Sequence, residues 1–380
     1  MRDSAGVTIV EHAGDLWSTP LRWRTSAEPV LRVGELEGDE AYLFDGIVSL
    51  AVLDDGRFIV ANQGDQSLRW FDPNGRFIME RGGAGEGPGE FSRVGDLTVT
   101  GDSVVATDWS GLRFTMFDLD GNIGRSTRIT GLTEPPSRLY RIPSGDWILG
   151  TAGFGVARLG PEVTDGIHRY DEPLLRVNGD GSGVDTLVML PGTEIQITTR
   201  GEGFMMTSAP LGRVSSYTVL GDELIAGTAD QLRFDVYSAA GALTRSVRAP
   251  DVNLALTPEI ETAYLAILQE RVEQMPEEVR PEAERSLAEM ELPRVLPAYS
   301  SIQAGADSTV WVGSYRVVPG WPQHALVFDA AGEFLGRVEL PPSLRVMWIG
   351  DGYVWGRESD ELGVEYVVKY RLEDVASPEA

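Results

Sequence analysis

The sequence predicts an all-β fold: a six-bladed β-propeller closed by an N-terminal strand, with a helical hairpin inserted between blades four and five. Three observations predict it. A tight hairpin signature recurs down the chain, a short apolar run precedes each copy, and a glycine-rich linker opens at least one complete repeat. That repeat is Gly82–Gly121, "GGAGEGPGEFSRVGDLTVTGDSVVATDWSGLRFTMFDLDG". It reads as linker, alternating strand, strand ending in an acidic residue, and a third strand running into an Asp-Gly turn, which is one propeller blade.

The turns count the blades. They are Phe71-Asp72-Pro73-Asn74-Gly75, Phe117-Asp118-Leu119-Asp120-Gly121, Val177-Asn178-Gly179-Asp180-Gly181, Tyr237-Ser238-Ala239-Ala240-Gly241 and Phe328-Asp329-Ala330-Ala331-Gly332, with a decayed sixth at Tyr370-Arg371-Leu372-Glu373-Asp374. Asp or Asn bonds its own backbone and Gly supplies positive φ, so each copy joins strands three and four of a blade. The second strands are "RFIVAN" from Arg57, "SVVATD" from Ser103, "DWILGT" from Asp146, "ELIAGT" from Glu223, "TVWVGS" from Thr309 and "GYVWGR" from Gly352. Each is apolar and β-rich, as a strand buried on both faces must be. Trp147, Trp311 and Trp355 lie within these runs and are expected to pack between blades.

Successive turns are 46, 60, 60, 91 and 42 residues apart, against roughly 40–50 per blade in propeller repeats. The 91-residue gap holds the insertion, residues 257–291. There the hydrophobic period shifts to about 3.6: Ile260, Tyr264, Ile267, Leu268, Val272 and Met275 share a helical face, with Thr257 as N-cap and Pro258 at the first helical position. A second short helix is expected over Pro281–Met290. The hairpin either decorates a blade edge or acts as a lid or docking element.

After Tyr370 only a polar tail remains, so the last blade lacks its outer strand. Val30-Leu31-Arg32-Val33-Gly34, followed by Glu37-Gly38 and Phe44, parallels Ile78–Arg81, Gly82, Glu86-Gly87 and Phe91. The N-terminal segment is therefore expected to complete the C-terminal blade and remove its open edge. Val7–Val10 is expected to add a further outer strand. The whole chain, 1–380, is read as one domain.

Composition bounds the partners. With 32 basic against 58 acidic residues the net charge is −26, and a single lysine stands against 31 arginines. Such a surface repels nucleic acid and anionic lipid. No apolar run reaches the length of a membrane-spanning helix, and Met1–Gly6 carries no hydrophobic signal core. With no cysteine, disulfides and thiolate chemistry are excluded.

The run GxxGxGPGxF from Gly82, the strand ending "ATD" and the aromatic-Asp-x-x-Gly turn together resemble NHL-repeat propellers. More closely the chain is similar to the bacterial extracytoplasmic six-bladed β-propeller proteins, whose typical stretches include "LPAYSSI" from Leu296, "TVWVGSY" from Thr309 and "DELGVEYVVKYRL" from Asp360. The likeness covers Val7–Leu372. It implies an exported protein, periplasmic or at the cell surface after signal removal, and it brings no catalytic residue with it.

In a four-stranded meander the linker between blades emerges on the same face as the turn between strands two and three, so insertion and turns share a rim. Ligand-binding candidates there are Asn62, Asp108, Trp109, Asp230, Tyr315, Arg316, Arg357, Asp360 and Glu361, with Gln63 and Asp65 beside the first. Trp109 and Trp321, in loops, are placed to stack on a sugar or peptide. The chain has three histidines, His12, His168 and His324; no pair has metal-ligand spacing, although His168 and His324, just before third strands, would reach the rim. There is no HExxH or GxSxG motif, and the Gly82 run lacks the Lys-Ser/Thr of a phosphate cradle. Gluconolactonase-like propellers hold a divalent cation with Glu, Asp and usually two Asn, but here only Asn62 follows a second strand. Carboxylates such as Asp108, Asp230 and Asp360 would still suit Ca2+ or another hard cation. The expected function is non-catalytic binding of a protein, peptide or glycan at the rim by a monomer without cofactor; the alternative is a divalent-cation-assisted, lactonase-like hydrolase or lyase with carboxylates at the channel mouth.

Overall fold

The computed structural model describes residues 2–4, 6–132, 134–151, 164–200 and 203–375. Four short strands open the chain: β1 (Arg2–Ser4), β2 (Val7–Glu11), β3 (Leu21–Thr25) and β4 (Leu31–Val33). Blade one follows as β5 (Ile47–Val52), β6 (Phe58–Asn62), β7 (Ser67–Phe71) and β8 (Phe77–Gly82), and blade two as β9 (Val94–Thr100), β10 (Ser103–Asp108), β11 (Arg113–Asp118) and β12 (Ile123–Arg128). Blade three has five strands, β13 (Pro136–Arg141), β14 (Trp147–Thr151), β15 (Gly166–Val177), β16 (Val184–Arg200) and β17 (Gly203–Ser208). Blade four is β18 (Ser216–Leu220), β19 (Glu223–Gly227), β20 (Arg233–Tyr237) and β21 (Leu243–Arg248). Helices α1 (Pro258–Glu273) and α2 (Arg280–Ala288) come next. Blade five is β22 (Ser301–Ala304), β23 (Val310–Gly313), β24 (Gln323–Phe328) and β25 (Phe334–Leu340), and blade six is β26 (Arg345–Gly350), β27 (Tyr353–Ser359) and β28 (Glu365–Asp374).

All six second-strand runs are strands, and their alternation explains the ring. In β6, Phe58 and Val60 pack toward blade six while Ile59 and Ala61 pack toward blade two. In β14, Trp147 and Leu149 face blade two and Ile148 faces blade four. Successive side chains leave a strand on opposite faces, so a run apolar at every position is buried between two neighbours. The buried residues accordingly divide into six apolar clusters, one at each interface between blades. Trp147, Trp311 and Trp355 lie inside them, at most 5% exposed.

Five of the signature turns form as expected, while the sixth, Tyr370–Asp374, is the end of strand β28, extended by its pairing with β3. Asp72 accepts from the amides of Asn74 and Arg76, both at 2.8 Å, and Asp118 and Asp329 repeat the pattern. The turn glycine also allows close packing on the blade before it: a Cβ on Gly332 (φ +88°) would stand 2.4 Å from Val247 of β21.

Closure is broader than a single strand. β4 pairs antiparallel with β28 through Val33↔Val367, Arg32↔Val368 and Leu31↔Lys369, completing blade six. β3 pairs antiparallel with the last residues of β28 and parallel with β25, fusing blades five and six into one nine-stranded sheet. β2, the expected extra outer strand, runs parallel to β21 on blade four. The first 33 residues thus form a belt covering the outer edges of three consecutive blades. The 60-residue spacings around blade three arise from a long hairpin, since β15 and β16 pair from Gly166↔Ile197 to Val177↔Val184 while β14 meets only Leu175–Val177.

The insertion forms as the pattern indicated. The Thr257 hydroxyl accepts from Ile260 N at 3.4 Å, with Pro258 at the start of α1. Its apolar face is shallower than expected: Val272 is buried, Ile260, Tyr264, Ile267 and Leu268 are half-buried, and Met275 is 38% exposed. His168 and His324 stand within β15 and β24, not ahead of them.

Candidate binding site at the channel mouth

Several rim candidates are committed to the fold. Asn62, 2% exposed, accepts from Asp45 N at 2.8 Å and donates to Asp65 at 2.9 Å, clasping the turn that follows β6. Asp108, fully buried, accepts from the amides of Ser92, Arg93 and Gly111 at 3.0 Å and pairs with Arg113 at 3.1 Å. These two correct the sequence reading: an acidic or amide group ending a second strand is consumed by the unpaired amides of its own blade. Asp360 likewise accepts from Leu362 N, Val364 N and the Tyr366 hydroxyl, each at 3.0 Å. Arg357 pairs with Glu365 at 2.6 Å and donates to Ile47 O at 3.1 Å, joining blade six to blade one.

The others stand nearer solvent. Asp230 takes a two-pronged contact from Arg169, both 2.9 Å, and a longer one from Arg213 at 3.4 Å, so blades three and four share an ion-pair network with Glu194. Trp109 is half-buried, its indole lying against Gly95 of β9 and under the Arg93 guanidinium. Arg316, exposed, donates to Pro342 O, and Glu361 is exposed. Tyr315 is half-buried; burial pushes its hydroxyl up to about 12, and it faces Tyr264 of α1 and Glu194 of β16. Trp321 is 41% exposed.

Sequence reasoning passed over the innermost strands, β5, β9, β13, β18, β22 and β26, which line the channel. Polar side chains, all on these strands except Glu365 of β28, stitch each blade to the next. Leu97 N donates to Ser49 Oγ at 2.9 Å, Thr98 Oγ1 to Leu139 O at 2.5 Å, and Tyr217 Oη to Arg138 O at 2.8 Å. Ser216 and Thr218 accept from Ile302 N and Ala304 N at 2.8 and 3.1 Å, Gln303 donates to Met347 O at 3.0 Å, and Ile47 N donates to Glu365 at 2.6 Å. Every one of the six interfaces carries such a bond.

Among these positions sit three charged residues from three blades: Asp96, third in β9; Arg138, third in β13; and Arg345, first in β26. All three lie at the strand ends that adjoin the linkers, the face to which the rim residues belong. Blades two and six are separated by blade one, and blades three and six are opposite each other, so these side chains meet only across the axis. They do meet electrostatically. Burial raises the Asp96 carboxyl above its usual range against the pull of Arg138 and Arg345. Arg345 is lowered by burial and by the like charges of Arg357 and Arg138, while Arg138 is held charged chiefly by Tyr140 and then by Asp96. The sequence signal available was a charged residue inside an otherwise apolar first strand, as in "VGDLTVT".

Helix α1 lies over part of this face. Tyr264 bonds the backbone at Leu211, in the linker between blades three and four, and stands beside Tyr315 of blade five. One cavity, about 870 Å³, is the space between α1, α2 and residues 290–294. A second, about 520 Å³, opens where β9, β13 and β18 end, at the opposite end of the channel, with Tyr140 on its wall. Among the described residues no three His, Asp or Glu side chains form a metal-ligating group. His12 contacts Gly332 O and packs on Phe328 and Phe334, His168 contacts Thr164 O and stacks on Tyr170, and His324 stands across from Glu339. Among the described residues no helix is long and apolar enough to cross a membrane.

Comparison with known proteins agrees with this geometry. Residues 28–154 match the sequence model of a family described as 6-bladed beta-propeller. A putative exported protein from Bacteroides fragilis is similar at a TM-score of 0.52 and 12% identity, covering 96% of this chain and 100% of that one. A member of the DUF4221 family from Bacteroides vulgatus reaches 0.56, also at 12% identity, covering 93% and 99%. A gluconolactonase from Xanthomonas campestris, 12% identical over 94% and 99% of the two chains, reaches only 0.45. Curated protein sequences give no match. At such identities the solved structures speak to fold alone. Six blades, six interface clusters and the match over residues 28–154 identify the chain as a six-bladed β-propeller.

Proposed function

We propose that the protein is a non-catalytic binding propeller, exported and monomeric, which takes a peptide, glycan or protein segment at the mouth of its channel. The observation that supports this reading most directly is the convergence of Asp96, Arg138 and Arg345 from three blades at one end of the axis, on the face that α1 partly covers. Ligand sites form where side chains from several elements converge in a concave, partly roofed place. The similarity to an exported protein supports the location. The cation-assisted hydrolase reading finds no donor set among the described residues, and the carboxylates it would need, Asp108, Asp230 and Asp360, are each held by their own blade's amides or by arginines.

Peptide and glycan arrays, probed with the purified protein and with a variant lacking residues 257–293, test the reading. Retention of ligands that the deletion weakens or releases supports mouth binding. A ligand bound equally by both forms and not displaced by Tyr315→Ala would place binding elsewhere.

A further inference from the structure

Helix α1 has 16 residues and α2 only 9, so α2 stops short of the stem and about 10 Å of α1 is left facing no helix. The chain returns over 289–294 without helix, and between it, the end of α2 and the first turns of α1 lies the cavity of about 870 Å³. That is a ligand-sized space, sites for bound molecules spanning roughly 300–1,000 Å³. Leu256, Leu265, Leu287, Met290 and Leu292 line it and are all half-buried, while Ala266 and Ala288 are exposed on its walls. Val272 is the only buried side chain of the two helices; the hairpin therefore leaves these apolar groups without a complete core. The groove is separate from the channel mouth. Tyr264 stands beside Tyr315 of the mouth, and Ala266, two positions on, lies on the far side of α1 at about 3.6 residues per turn.

We propose that this groove docks a short, basic, amphipathic helix of a partner protein, two to three turns long. Charge selects the occupant. Residues 257–291 hold ten glutamates and three arginines, net −7, against −26 for all 380 residues. Glu261 lines the groove, Glu284 stands one turn before Ala288 on the same face of α2, and Glu291 lies between Met290 and Leu292 in the returning segment; all three are exposed. Arg294, at the stem, is the one cation of the lining. Apolar side chains edged by carboxylates complement a helix that carries leucine-like residues on one stripe and Lys or Arg beside it. The walls are largely helical, with their backbone groups bonded internally, so an extended peptide would gain no main-chain pairing there, whereas a helix brings its own bonds. A second copy of this chain has the wrong sign: the helices it could offer among the described residues, α1 and α2, are themselves acidic, and two chains of −26 repel each other.

Fluorescence anisotropy with the full chain tests this. The probes are a leucine–lysine peptide of about eleven residues patterned as an amphipathic helix, a scrambled peptide of the same composition, and a leucine–glutamate peptide of the same pattern. The patterned lysine peptide is expected to bind at least tenfold tighter than either of the others. Ala266→Glu adds charge of the attractive sign but fills the groove, so it should weaken that peptide at least tenfold; Ala288→Glu serves the same purpose if melting curves show the first variant unfolded. Glu261→Gln with Glu284→Gln should weaken it several-fold more than Asp54→Asn with Glu86→Gln, which removes equal charge from exposed positions elsewhere. Tyr315→Ala should leave it unchanged. The proposal is overturned if no peptide binds, if the scrambled or glutamate peptide binds as well as the patterned one, if the two neutralised pairs weigh equally, or if folded groove variants bind as the parent does. A dimer in sedimentation that Ala266→Glu dissolves would make a second copy the occupant and overturn it too. Array ligands released by Tyr315→Ala but not by Ala266→Glu uphold mouth binding whatever the groove does, so the two readings fail separately.

Discussion

At the scale of single residues, backbone conformation and protonation decide most. Gly332 and Gly221 both have positive φ, +88° and +63°, but a Cβ on Gly332 would collide with Val247 of the preceding blade whereas one on Gly221 meets nothing within 4 Å. Gly221→Ala should cost about 1 kcal/mol, the left-handed penalty alone, and Gly332→Ala about 2–4 kcal/mol, because overpacking is added to it. Chemical denaturation checks the order. His324 offers a second test: burial first, and Arg337 after it, hold its pKa below 6.5 against the opposing pull of Glu339. A histidine depressed in the folded state contributes stability that is full above its unfolded pKa and lost as pH falls through the folded one. The parent should therefore lose melting temperature on acidification below about pH 6.5 more steeply than His324→Asn does; parallel curves would refute the assignment.

At the scale of elements, the N-terminal belt and the helical hairpin make opposite predictions. β2, β3 and β4 cover the outer edges of blades four, five and six, so removing them exposes unpaired backbone on three sheets at once. Deleting residues 1–12 uncovers blade four alone and should leave a folded protein of lower melting temperature. Deleting 1–33 should abolish the cooperative transition or drive aggregation, as followed by circular dichroism and light scattering. The hairpin instead leaves the ring through a stem, Leu256 N to Arg294 O at 3.0 Å and Leu296 N to Leu254 O at 2.8 Å, with Val272 the only buried side chain of the two helices. Its removal should cost far less stability than loss of the belt.

At the scale of the whole molecule, closure makes the blades interdependent. Trp355 is 2% exposed in the cluster between blades six and one, its ring tilted against Phe58 at 5.1 Å between centroids, at the seam where the chain ends meet. Trp355→Ala should cost about 3–5 kcal/mol and lower one global transition without splitting it; a separate early transition would show that the blades unfold independently. A net charge of −26 repels itself, so raising ionic strength from about 0.02 M to about 0.5 M, where screening shortens to a few ångströms, should raise the melting temperature of the parent.

The blade count, the first five turns, the buried second strands, the insertion and the closing strand at Leu31–Val33 were all legible in the sequence, because each rests on interactions between near neighbours: alternation along a strand, an aspartate bonding amides two and four residues on, a threonine capping its own helix. The belt was only partly legible, since "LRWRT" in β3 has no local mark of the two blades it joins. The candidate site was the least legible. Asn62 and Asp108 read as ligand-facing because they end second strands at the rim, and tertiary structure turned them inward to satisfy amides of adjoining linkers. Asp96, Arg138 and Arg345 are 42 and 207 residues apart in the chain, and nothing local relates them. The sequence by itself determined the repeat and its number; only the closed ring brought charges from opposite blades to one axis, because proximity across a channel is a property of closure and of no segment alone.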